Sequence, residues 1–350
     1  MMLAWLRCGV ISLTELESLA ESALRAAGAN AHQARSTARA LVAADALGLA
    51  THGVSRVPFY ASHLRSGRVD GQAEPRVLAS KPATVLVDAA DGLSFPACEL
   101  AVQQAMDRAR SQGLALAGIC NSYHFGAAAW HLEPVARAGL IGIAMSNSPA
   151  AMPVVGGKRP LMGTNPLAAV FPRLDRQGRA QPPLVLDFAM SEVARGKLMV
   201  AAQKGEPIPL GWALDEHGQP TTDAQAGLRG SMLPFGSANG GIKGALIALM
   251  IELLVVTLTG SRFGAEMDTF FEPEGNRLRM GQLFLVFDPG GMAGTVAYAE
   301  RIEALVAAMC AEEGVRVPGD QRERKAERAR ELGVKIPDAL LTTLKKLAAA

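Results

Sequence analysis

Residues 114–129 read LALAGICNSYHFGAAA, an apolar run that passes into polar residues and then a glycine. The apolar half, residues 114–119, has strand character, and the change of pattern marks the end of a strand before the start of a helix. Free N–H groups at a helix start can bind an anion, and His124 could there pass on a proton or donate to a phosphate. A histidine that only caps a buried helix is an equally good interpretation of the same residues.

The segments on both sides of this stretch predict a mixed α/β fold. Short apolar runs predict further strands at residues 84–87, 141–145, 184–186 and 282–287. A capping box at Ser12 and apolar residues at helical spacing predict a first helix that Gly28 ends. Further helices are predicted at residues 31–47, 98–112, 193–203, 245–259, 298–313, 321–332 and 338–349. The polar, proline-bearing residues 174–183 predict a surface hairpin loop.

The chain has 36 glycines, yet no two of them stand at positions i and i+2. The chain therefore contains no GxGxxG fingerprint, and it has no Walker A pattern either. If the protein binds a nucleotide, it does so without the common phosphate-binding loop.

Composition excludes several classes of protein. The chain has 350 residues, 49% hydrophobic and 19% charged, with a net charge of +2. The length predicts two or three domains, and the dispersed basic residues do not form the concentrated positive face of a nucleic-acid-binding protein. The apolar residues 245–258 are too few for a membrane span of ~20 residues and predict a buried helix instead.

The cysteines and the N-terminus predict a cytoplasmic protein. Cys8, Cys98, Cys120 and Cys310 lie far apart, with no CxxC pair and no histidine at zinc-ligand spacing. We expect reduced thiols, with no disulfide framework and no metal. The N-terminal apolar stretch is short and broken by Arg7, so a signal peptide is not expected.

The segment ATHGVSR, residues 50–56, carries the clearest chemistry. His52 and Arg56 are four residues apart, so one further helical turn would place both on one face. A histidine can exchange a proton with a hydroxyl or carbonyl oxygen, and an arginine binds a carboxylate through two hydrogen bonds. Together they suit a 2-oxo or 2-hydroxy acid. A helix-end histidine beside a surface arginine is the alternative interpretation.

Four weaker segments offer polar groups to a ligand. Residues 156–166, GGKRPLMGTNP, end in a turn with Thr164, and residues 184–191 form an apolar strand that ends in Asp187. Lys243, in GGIKG, precedes the apolar helix and could meet a phosphate. Residues 316–322, RVPGDQR, form a turn that opens a charged helix, and a solvated face is its default interpretation.

Taken in order, eight motifs resemble the type-2 malate/L-lactate dehydrogenase family. They are THGVSR, YHFGAAA, GGKRPLMGTNP, LDFAMSEVARGK, PLGWALDEHGQPTTD, GGIKGALIALMIELL, GQLFLVFDP and VPGDQR. The resemblance covers about residues 12–345. This family includes sulfolactate and ureidoglycolate dehydrogenases and reductases of Δ1-piperideine-2-carboxylate and Δ1-pyrroline-2-carboxylate. The sequence of residues 191–215 is most similar to that of the sulfolactate-dehydrogenase-like members.

The resemblance implies a fold, a domain organisation and partners. The fold is the non-Rossmann NAD(P)-binding fold of the L-sulfolactate dehydrogenase-like type, in agreement with the missing fingerprint. A helical substrate and dimerisation domain would comprise residues 1–119 and 298–350, and an NAD(P)-binding domain residues 120–297. The partners would be NAD or NADP, a small acid substrate and a second copy in a homodimer.

The resemblance also implies roles for individual residues. His52 would donate and accept the proton, with Thr51 at a relay position, while His124 is the catalytic position of the ureidoglycolate branch. The substrate would be bound by Arg56, with Thr164, Arg195 and Gly196 nearby. The cofactor would be contacted by His124, Phe125, Gly126, Ala127, Ala128, Asp187, Phe188, Ala189, Gly241, Lys243, Arg316, Pro318, Gly319, Asp320 and Arg322.

Two departures from the family pattern affect the predicted substrate. The imine reductases carry His-Gly-Asp where this chain has Arg195-Gly196-Lys197, which favours a 2-hydroxy acid over a cyclic imine. Four additional residues, 237–240, separate Pro234-Phe-Gly236 from the segment with Lys243. We therefore expect a 2-hydroxy-acid dehydrogenase. A cyclic-imine reductase and a catalytically inactive binding homologue are the alternatives.

Overall fold

A seven-stranded mixed sheet forms the centre of the computed structural model, which describes residues 9–175 and 177–350. In sheet order its strands are β2 (Arg76–Lys81), β3 (Thr84–Asp88), β4 (Leu114–Ser122), β11 (Met280–Phe287), β5 (Ile141–Ser146), β6 (Leu167–Leu174) and β7 (Ala180–Phe188). Only β3 and β4 run parallel; all other neighbours are antiparallel. The other strands are short: β1 (Val10–Ile11) pairs with β12 (Val334–Lys335), and β8 (Ala213–Leu214), β9 (Pro220–Thr221) and β10 (Ser231–Met232) form a three-stranded sheet.

Eleven α-helices are present in the described part of the chain. They are α1 (Leu13–Ala26), α2 (Ala31–Ala46), α3 (Val57–Ser66), α4 (Ser94–Gln112), α5 (Glu133–Arg137), α6 (Arg195–Lys204), α7 (Ala224–Arg229), α8 (Lys243–Thr259), α9 (Thr295–Cys310), α10 (Asp320–Leu332) and α11 (Asp338–Ala348). Helix α4 is the connection that allows β3 and β4 to run parallel. The side chain of Ser12 accepts a hydrogen bond from the Glu15 N–H and so caps α1, as its sequence pattern predicts.

All of the strands and long helices predicted from the sequence are present, and the mixed α/β class is confirmed. Strands β2 and β6 and helix α3 were not expected. Strand β2 is a fully exposed edge strand without apolar alternation, and β6 contains Pro172, which normally argues against a strand. The predicted hairpin loop at residues 174–183 is too long, because β7 already begins at Ala180 and only a short turn follows Leu174.

Separate hydrophobic cores lie on the two faces of the large sheet and in the helical layer. Helix α4 covers one face, and α8 covers the other together with α6 and the three-stranded sheet. Helices α1, α2, α3 and α11 pack around Leu16, Leu24 and Leu41 in a core of their own. The predicted division into two domains stays a prediction; strand β4 crosses its boundary at residue 119.

Helix α8 corrects one expectation. Its sequence is apolar on all sides, which predicted a buried helix, but only one face packs on the sheet. The other face exposes large side chains at a spacing of three or four residues, which we name the α8 stripe: Ile242, Leu246, Met250, Leu253, Leu254 and Leu258. A helix that is hydrophobic all round is normally covered all round.

Candidate active site

A cavity of about 610 Å³ lies between the helical layer and the edge of the sheet that carries β7. Its lining brings together the predicted catalytic and substrate-binding residues: Thr51, His52, His124, Arg56, Thr164, Arg195 and Gly196. Nine of the predicted cofactor contacts also line it: His124, Phe125, Gly126, Ala127, Ala128, Asp187, Phe188, Ala189 and Arg322. Six others do not line it: Gly241, Lys243, Arg316, Pro318, Gly319 and Asp320. Residues separated by up to 271 positions therefore meet in one place.

The backbone that carries His52 and Arg56 differs from the single helical turn predicted for it. Two short 3₁₀ turns, Ala50–His52 and Val54–Arg56, are separated by Gly53, whose backbone is extended. A side chain at residue 53 would collide with the carboxylate of Asp45, which accepts a hydrogen bond of 2.7 Å from the Val54 N–H. Burial raises the pKa of Asp45 to about 6. Asp45, on α2, thus shapes the turn although no sequence motif pointed to it.

Two histidines face the cavity side by side. The rings of His52 and His124 are stacked, with their centroids 5.8 Å apart. The hydroxyl of Thr51 lies 3.1 Å from Nδ1 of His52. Burial, followed by the charges of Arg56 and Arg322, lowers the pKa of His52 to about 4. His52 is therefore a neutral imidazole at neutral pH, able to accept a proton.

His124 is held by a hydrogen bond that the sequence did not predict. The Tyr60 hydroxyl lies 2.6 Å from Nδ1 of His124, and the Gly126 N–H approaches the same nitrogen at 3.4 Å. Burial raises the pKa of Tyr60, so its hydroxyl stays protonated and donates to Nδ1. The proton of the neutral His124 ring then resides on Nε2. The strand end at His124 is followed by a 3₁₀ turn, Ala128–Leu132, instead of the expected anion-binding α-helix start.

Arg56 lies within the cavity wall on two phenylalanine rings. Its guanidinium carbon is 5.6 Å from the ring centroid of Phe270 and 5.7 Å from that of Phe271. Its Nε donates to the Thr51 carbonyl oxygen at 2.7 Å, and burial lowers its pKa. No carboxylate forms an ion pair with Arg56 in the described part of the chain. A half-buried guanidinium that faces a cavity without a counter-charge is suited to bind an anionic ligand.

The loop that carries both phenylalanines was not anticipated as part of the site. Arg68 is 4% exposed and donates to the carbonyl oxygens of Thr269, Glu272, Glu274 and Asn276 at 2.6–3.1 Å. Nε2 of His63 lies 2.7 Å from the same Glu272 oxygen, and its Nδ1 contacts the Tyr123 hydroxyl. The sequence offered one signal, an Arg-bearing turn directly after α3.

A second wall is formed where β7 ends. Arg322, on α10, donates to the carboxylate of Asp187 at 3.1 Å and to its carbonyl oxygen at 3.1 Å. Burial raises the pKa of Asp187, against the opposing effect of the Arg322 charge. The carbonyl of Pro318 accepts from the Val185 N–H at 3.0 Å, so residues 316–320 lie on β7 behind the cavity wall. This turn supports Asp187 and Arg322 without lining the cavity itself.

Thr164 is positioned by a buried acid in the apolar helix α8. Glu252 is 3% exposed and accepts hydrogen bonds from the Asn165 side chain at 2.8 Å and the Gly264 N–H at 2.7 Å. Burial raises its pKa. The Thr164 N–H in turn donates to Ser148 Oγ at 3.1 Å. Glu252 was overlooked because a single acid in an apolar run does not disturb the helical pattern.

Comparison with known proteins identifies the family. The family model described as malate/L-lactate dehydrogenase matches residues 11–345. The chain belongs to the malate/L-lactate dehydrogenase family. A relative from Chromohalobacter salexigens, named (2R)-3-sulfolactate dehydrogenase (NADP(+)), is 48% identical over 97% of this chain and 98% of its own length. A Δ1-pyrroline-2-carboxylate/Δ1-piperideine-2-carboxylate reductase from Pseudomonas putida is 39% identical over 96% of each chain.

Solved structures of the malate/L-lactate dehydrogenase family share the fold. Δ1-piperideine-2-carboxylate reductase from Pseudomonas syringae superposes with a TM-score of 0.88 at 36% identity, over 97% of this chain and all of the other. Sulfolactate dehydrogenase from Methanocaldococcus jannaschii gives a TM-score of 0.87 at 30% identity, over 97% and 96% of the two chains. The protein is therefore an NAD(P)-dependent oxidoreductase, and the predicted fold class is confirmed. Among the described residues, no helix combines the length and apolar character that a membrane crossing requires.

Proposed function

We propose that this protein transfers a hydride between the nicotinamide of NAD(P) and C2 of a small 2-oxo or 2-hydroxy acid of the malate, lactate or sulfolactate type. One observation carries the proposal: His52, His124 and Arg56 line the same cavity. The carboxylate of such an acid is one bond from the reacting carbon. A residue that binds the carboxylate therefore brings the reacting oxygen close to both histidines.

The lining and the volume of the cavity both suit a nicotinamide coenzyme. Residues 125–128 contribute Gly126 and two alanines, so much of this wall is backbone and methyl groups that allow a flat ring to approach. The cavity volume lies in the ~300–1,000 Å³ range of cofactor and ligand sites. We propose that residues 125–128, Asp187, Phe188, Ala189 and Arg322 bind the coenzyme, whose nicotinamide supplies or accepts the hydride. Residues 316–320 would support this wall, and Gly241 and Lys243 could act only outside the cavity.

Arg56 is assigned to the substrate carboxylate. It is half-buried without an acidic partner among the described residues, and its planar fork matches the two oxygens of a carboxylate. Thr164 lies on the same cavity wall as a further polar contact. Binding of the carboxylate would also compensate the charge that lowers the pKa of His52.

His52 is assigned to proton transfer. In oxidation of a hydroxy acid, its neutral ring accepts the hydroxyl proton; in reduction, the same nitrogen returns a proton to the developing alkoxide. The Thr51 hydroxyl, 3.1 Å from Nδ1, is placed to exchange a proton with the far side of the ring. His124, with its proton on Nε2, donates a hydrogen bond into the same space.

The arginine assignment is tested by Arg56→Lys. The lysine keeps the charge but loses the two-pronged contact, a loss of ~1.5–3 kcal/mol of carboxylate binding. We expect a large increase of KM for the acid with little change of the dissociation constant of NADPH. An unchanged KM would show that Arg56 does not bind the carboxylate.

The histidine assignment is tested by comparing His52→Ala with His124→Ala. His52→Ala should lower kcat by ~10²–10⁴-fold with coenzyme binding nearly intact. His124→Ala should weaken coenzyme binding at least as much as it lowers kcat. Turnover lost only in His124→Ala would refute the assignment of proton transfer to His52. A wild-type protein that binds NADPH but turns over no 2-oxo acid would instead indicate an inactive homologue.

Reduction of a cyclic imine is the second candidate function. It is favoured by the 39% identity to a Δ1-pyrroline-2-carboxylate/Δ1-piperideine-2-carboxylate reductase. It is disfavoured by Arg195-Gly196-Lys197, which places an arginine in the cavity at a position where imine reductases carry a histidine. Initial rates with Δ1-piperideine-2-carboxylate and with 2-oxo acids, each with NADH and NADPH, distinguish the two.

We further propose that the protein is a cytoplasmic homodimer. The α8 stripe supports the dimer, because six large apolar side chains along α8 and at its N-cap remain 38–54% exposed in the single chain. The proposed interface then lies in the predicted NAD(P)-binding domain, residues 120–297, and not in the predicted dimerisation domain. Cys98 and Cys120 are buried and unbridged among the described residues, as suits a reducing compartment; Cys8 lies outside those residues. Molar mass by light scattering tests the dimer, and fractionation of the source cells tests the location.

A further inference from the structure

Arginines dominate the charge of the cavity lining. Arg56, Arg159, Arg195 and Arg322 all contribute to it, whereas Asp187 is the single acid among the lining residues. Arg322 is neutralised by Asp187, and Arg159 is exposed to solvent. Arg56 and Arg195 remain, and neither forms an ion pair within the described residues. The cavity thus holds two guanidinium groups that lack a counter-charge.

Arg195 is the less well satisfied of the two. It is the first residue of α6, and one Nη donates to the Leu228 carbonyl at 3.2 Å. Its Nε is buried and has no hydrogen-bond partner. Polar groups in protein interiors are normally paired, and a charged donor without a partner is especially unfavourable. An anionic ligand in the cavity would supply the missing acceptor.

The position of Arg195 assigns it to the substrate end of the cavity. Its guanidinium carbon lies 5.4 Å from the ring centroid of Phe271, and that of Arg56 lies 5.7 Å from the same centroid. These two distances limit the separation of the two guanidinium carbons to about 11 Å. A charge-assisted hydrogen bond spans ~2.8 Å, so one small molecule with an anionic group at each end can reach both.

The backbone beside Arg195 is in direct contact with the proposed catalytic turn. A Cβ atom on Gly196 would lie 2.9 Å from Cγ2 of Thr51, so only glycine allows α6 to begin this close to the turn. Arg195 is thereby brought to the side of the cavity that carries Thr51, His52 and Arg56. The wall formed by residues 125–128 belongs to a different part of the chain.

We propose that Arg195 binds a second anionic group, a sulfonate or carboxylate on C3 of the substrate, so that the enzyme selects small dianionic 2-oxo or 2-hydroxy acids over monoanions such as pyruvate. This inference rests on the proposed function, since it takes the first carboxylate to lie on Arg56. It deepens that function by naming the substrate class and the residue that selects it. Both guanidinium groups lie over the ring of Phe271, which favours a cation at its face.

The test compares kcat/KM with NADPH for 3-sulfopyruvate, oxaloacetate and pyruvate in the full-length enzyme. Wild type should prefer both dianions to pyruvate. Arg195→Met keeps an apolar chain over Phe271 but removes the charge, and it should lower the dianion-to-pyruvate ratio of kcat/KM by roughly 10- to 100-fold. Arg195→Lys should restore part of the ratio. Arg229→Met is the matched control, an exposed arginine that pairs with Glu216 outside the cavity, and it should keep the wild-type ratio.

The possible outcomes separate this inference from the function on which it rests. If wild type turns over no 2-oxo acid, the proposed function fails. If wild type turns over 2-oxo acids but does not prefer dianions, only the inference about Arg195 fails. The same conclusion follows if Arg195→Met keeps the dianion preference of wild type. A loss of NADPH affinity equal to the loss of selectivity would assign Arg195 to a coenzyme phosphate and overturn it.

A measurement on wild type alone guards against a variant that fails to fold. Malonate, with two carboxylates, should inhibit competitively against the 2-oxo acid at least tenfold more strongly than acetate, with one. Equal inhibition constants would refute a second anion site.

Discussion

His52 shows how one position in the fold sets the chemistry of a side chain. Burial contributes most to its lowered pKa, and the positive charges of Arg56 and Arg322 add to the effect. Both causes disfavour the imidazolium, so the free enzyme presents a proton acceptor at neutral pH. The free protein is therefore prepared for oxidation of a hydroxy acid, and a bound anion would offset only the smaller, charge-based part of the shift.

The lowered pKa of His52 predicts the pH dependence of the reaction. Because the pKa of His52 falls from 6.5 to about 4, kcat/KM for oxidation of the hydroxy acid should stay level from pH 8 to about 5. It should decline only as the pH approaches 4, where the ring takes up a proton and can no longer accept one from the substrate. Initial rates across this range, with His52→Gln as the control that removes the inflection, test the prediction. An inflection near 6.5 that disappears in His52→Gln would contradict it; an inflection near 6 that persists in this variant belongs to Asp45, whose pKa burial raises to about 6.

Buried polar contacts of Tyr60 and Glu252 also determine the geometry of the site. Neither residue belongs to a recognisable motif, yet Tyr60 determines the tautomer of His124 and Glu252 holds the loop with Thr164. Both are buried, so their polar atoms require partners in the folded chain. Their roles depend on contacts with residues 64 and 87 positions away, which no local pattern records.

At the scale of elements, the loop between a 3₁₀ turn at Gly264–Glu266 and strand β11 depends on one arginine. Arg68 donates to four of its carbonyl groups, and the loop carries Phe270 and Phe271 beneath Arg56. A guanidinium carries five N–H donors on a rigid planar fork, against three on an ammonium group, so its Nε and Nη1 reach carbonyl oxygens on separate residues of the loop. Arg68 therefore links the stability of this loop to the geometry of the site.

We expect Arg68→Lys to destabilise the protein by about 2–4 kcal/mol, since several charge-assisted hydrogen bonds are lost in the interior. The melting temperature should fall by several degrees, and KM for the acid should rise because the two phenylalanines lose their support. Arg65→Lys, on the exposed face of α3, is the control and should leave both quantities unchanged. If Arg68→Lys matches the control, the loop is held by other contacts.

The additional residues 237–240 form another separable element. They make a 3₁₀ turn, Ser237–Asn239, between the left-handed glycines Gly236 and Gly240, and Ser237, Ala238 and Gly240 do not line the cavity. The Gly241 N–H already closes the loop by donating to the Gly236 carbonyl at 3.1 Å. Insertions in surface turns of this kind are generally tolerated.

Deletion of residues 237–240 should therefore leave the dissociation constant of NADPH and kcat within about threefold of wild type. Coenzyme titration by fluorescence and steady-state kinetics measure both. Loss of NADPH binding would show that the additional residues are part of the coenzyme site, and the proposed position of Lys243 outside the cavity would then be wrong.

For the whole molecule, the most informative surface is the α8 stripe. Half of α8 packs on the sheet, and the other half exposes leucines, an isoleucine and a methionine where a surface helix normally carries polar residues. A second copy of the chain would cover this face with an identical stripe, as a two-fold interface requires.

Met250→Glu places a charge in the centre of this stripe and should convert the dimer to monomers at micromolar concentration, because an unpaired buried carboxylate opposes association. Light scattering after gel filtration measures the molar mass. Met292→Glu, at a methionine that is 92% exposed elsewhere, should leave the dimer intact. Wild-type monomers, or a Met250→Glu dimer, would exclude this interface.

The sequence by itself determined the local elements and the chemical inventory of this protein. Apolar periodicity located all the long helices and five strands of the large sheet, and the spacing of glycines excluded the common dinucleotide loop. Histidine, arginine and their neighbours in residues 50–56 indicated acid–base chemistry on an acidic substrate. These features are local, since they depend on which face of a segment is buried and on which side chains are adjacent.

Only the tertiary structure decided which of these residues act together. Asp45 shapes the turn with Gly53, Tyr60 orients His124, and the loop held by Arg68 places Phe271 near both Arg56 and Arg195. The tertiary structure likewise decided where strands β2 and β6 form. It also decided that half of α8 stays exposed, although the apolar pattern of this helix predicted that it would be buried. Periodicity reports that a side chain is buried and not its partner, because the partner is brought near by packing of segments far apart in the chain.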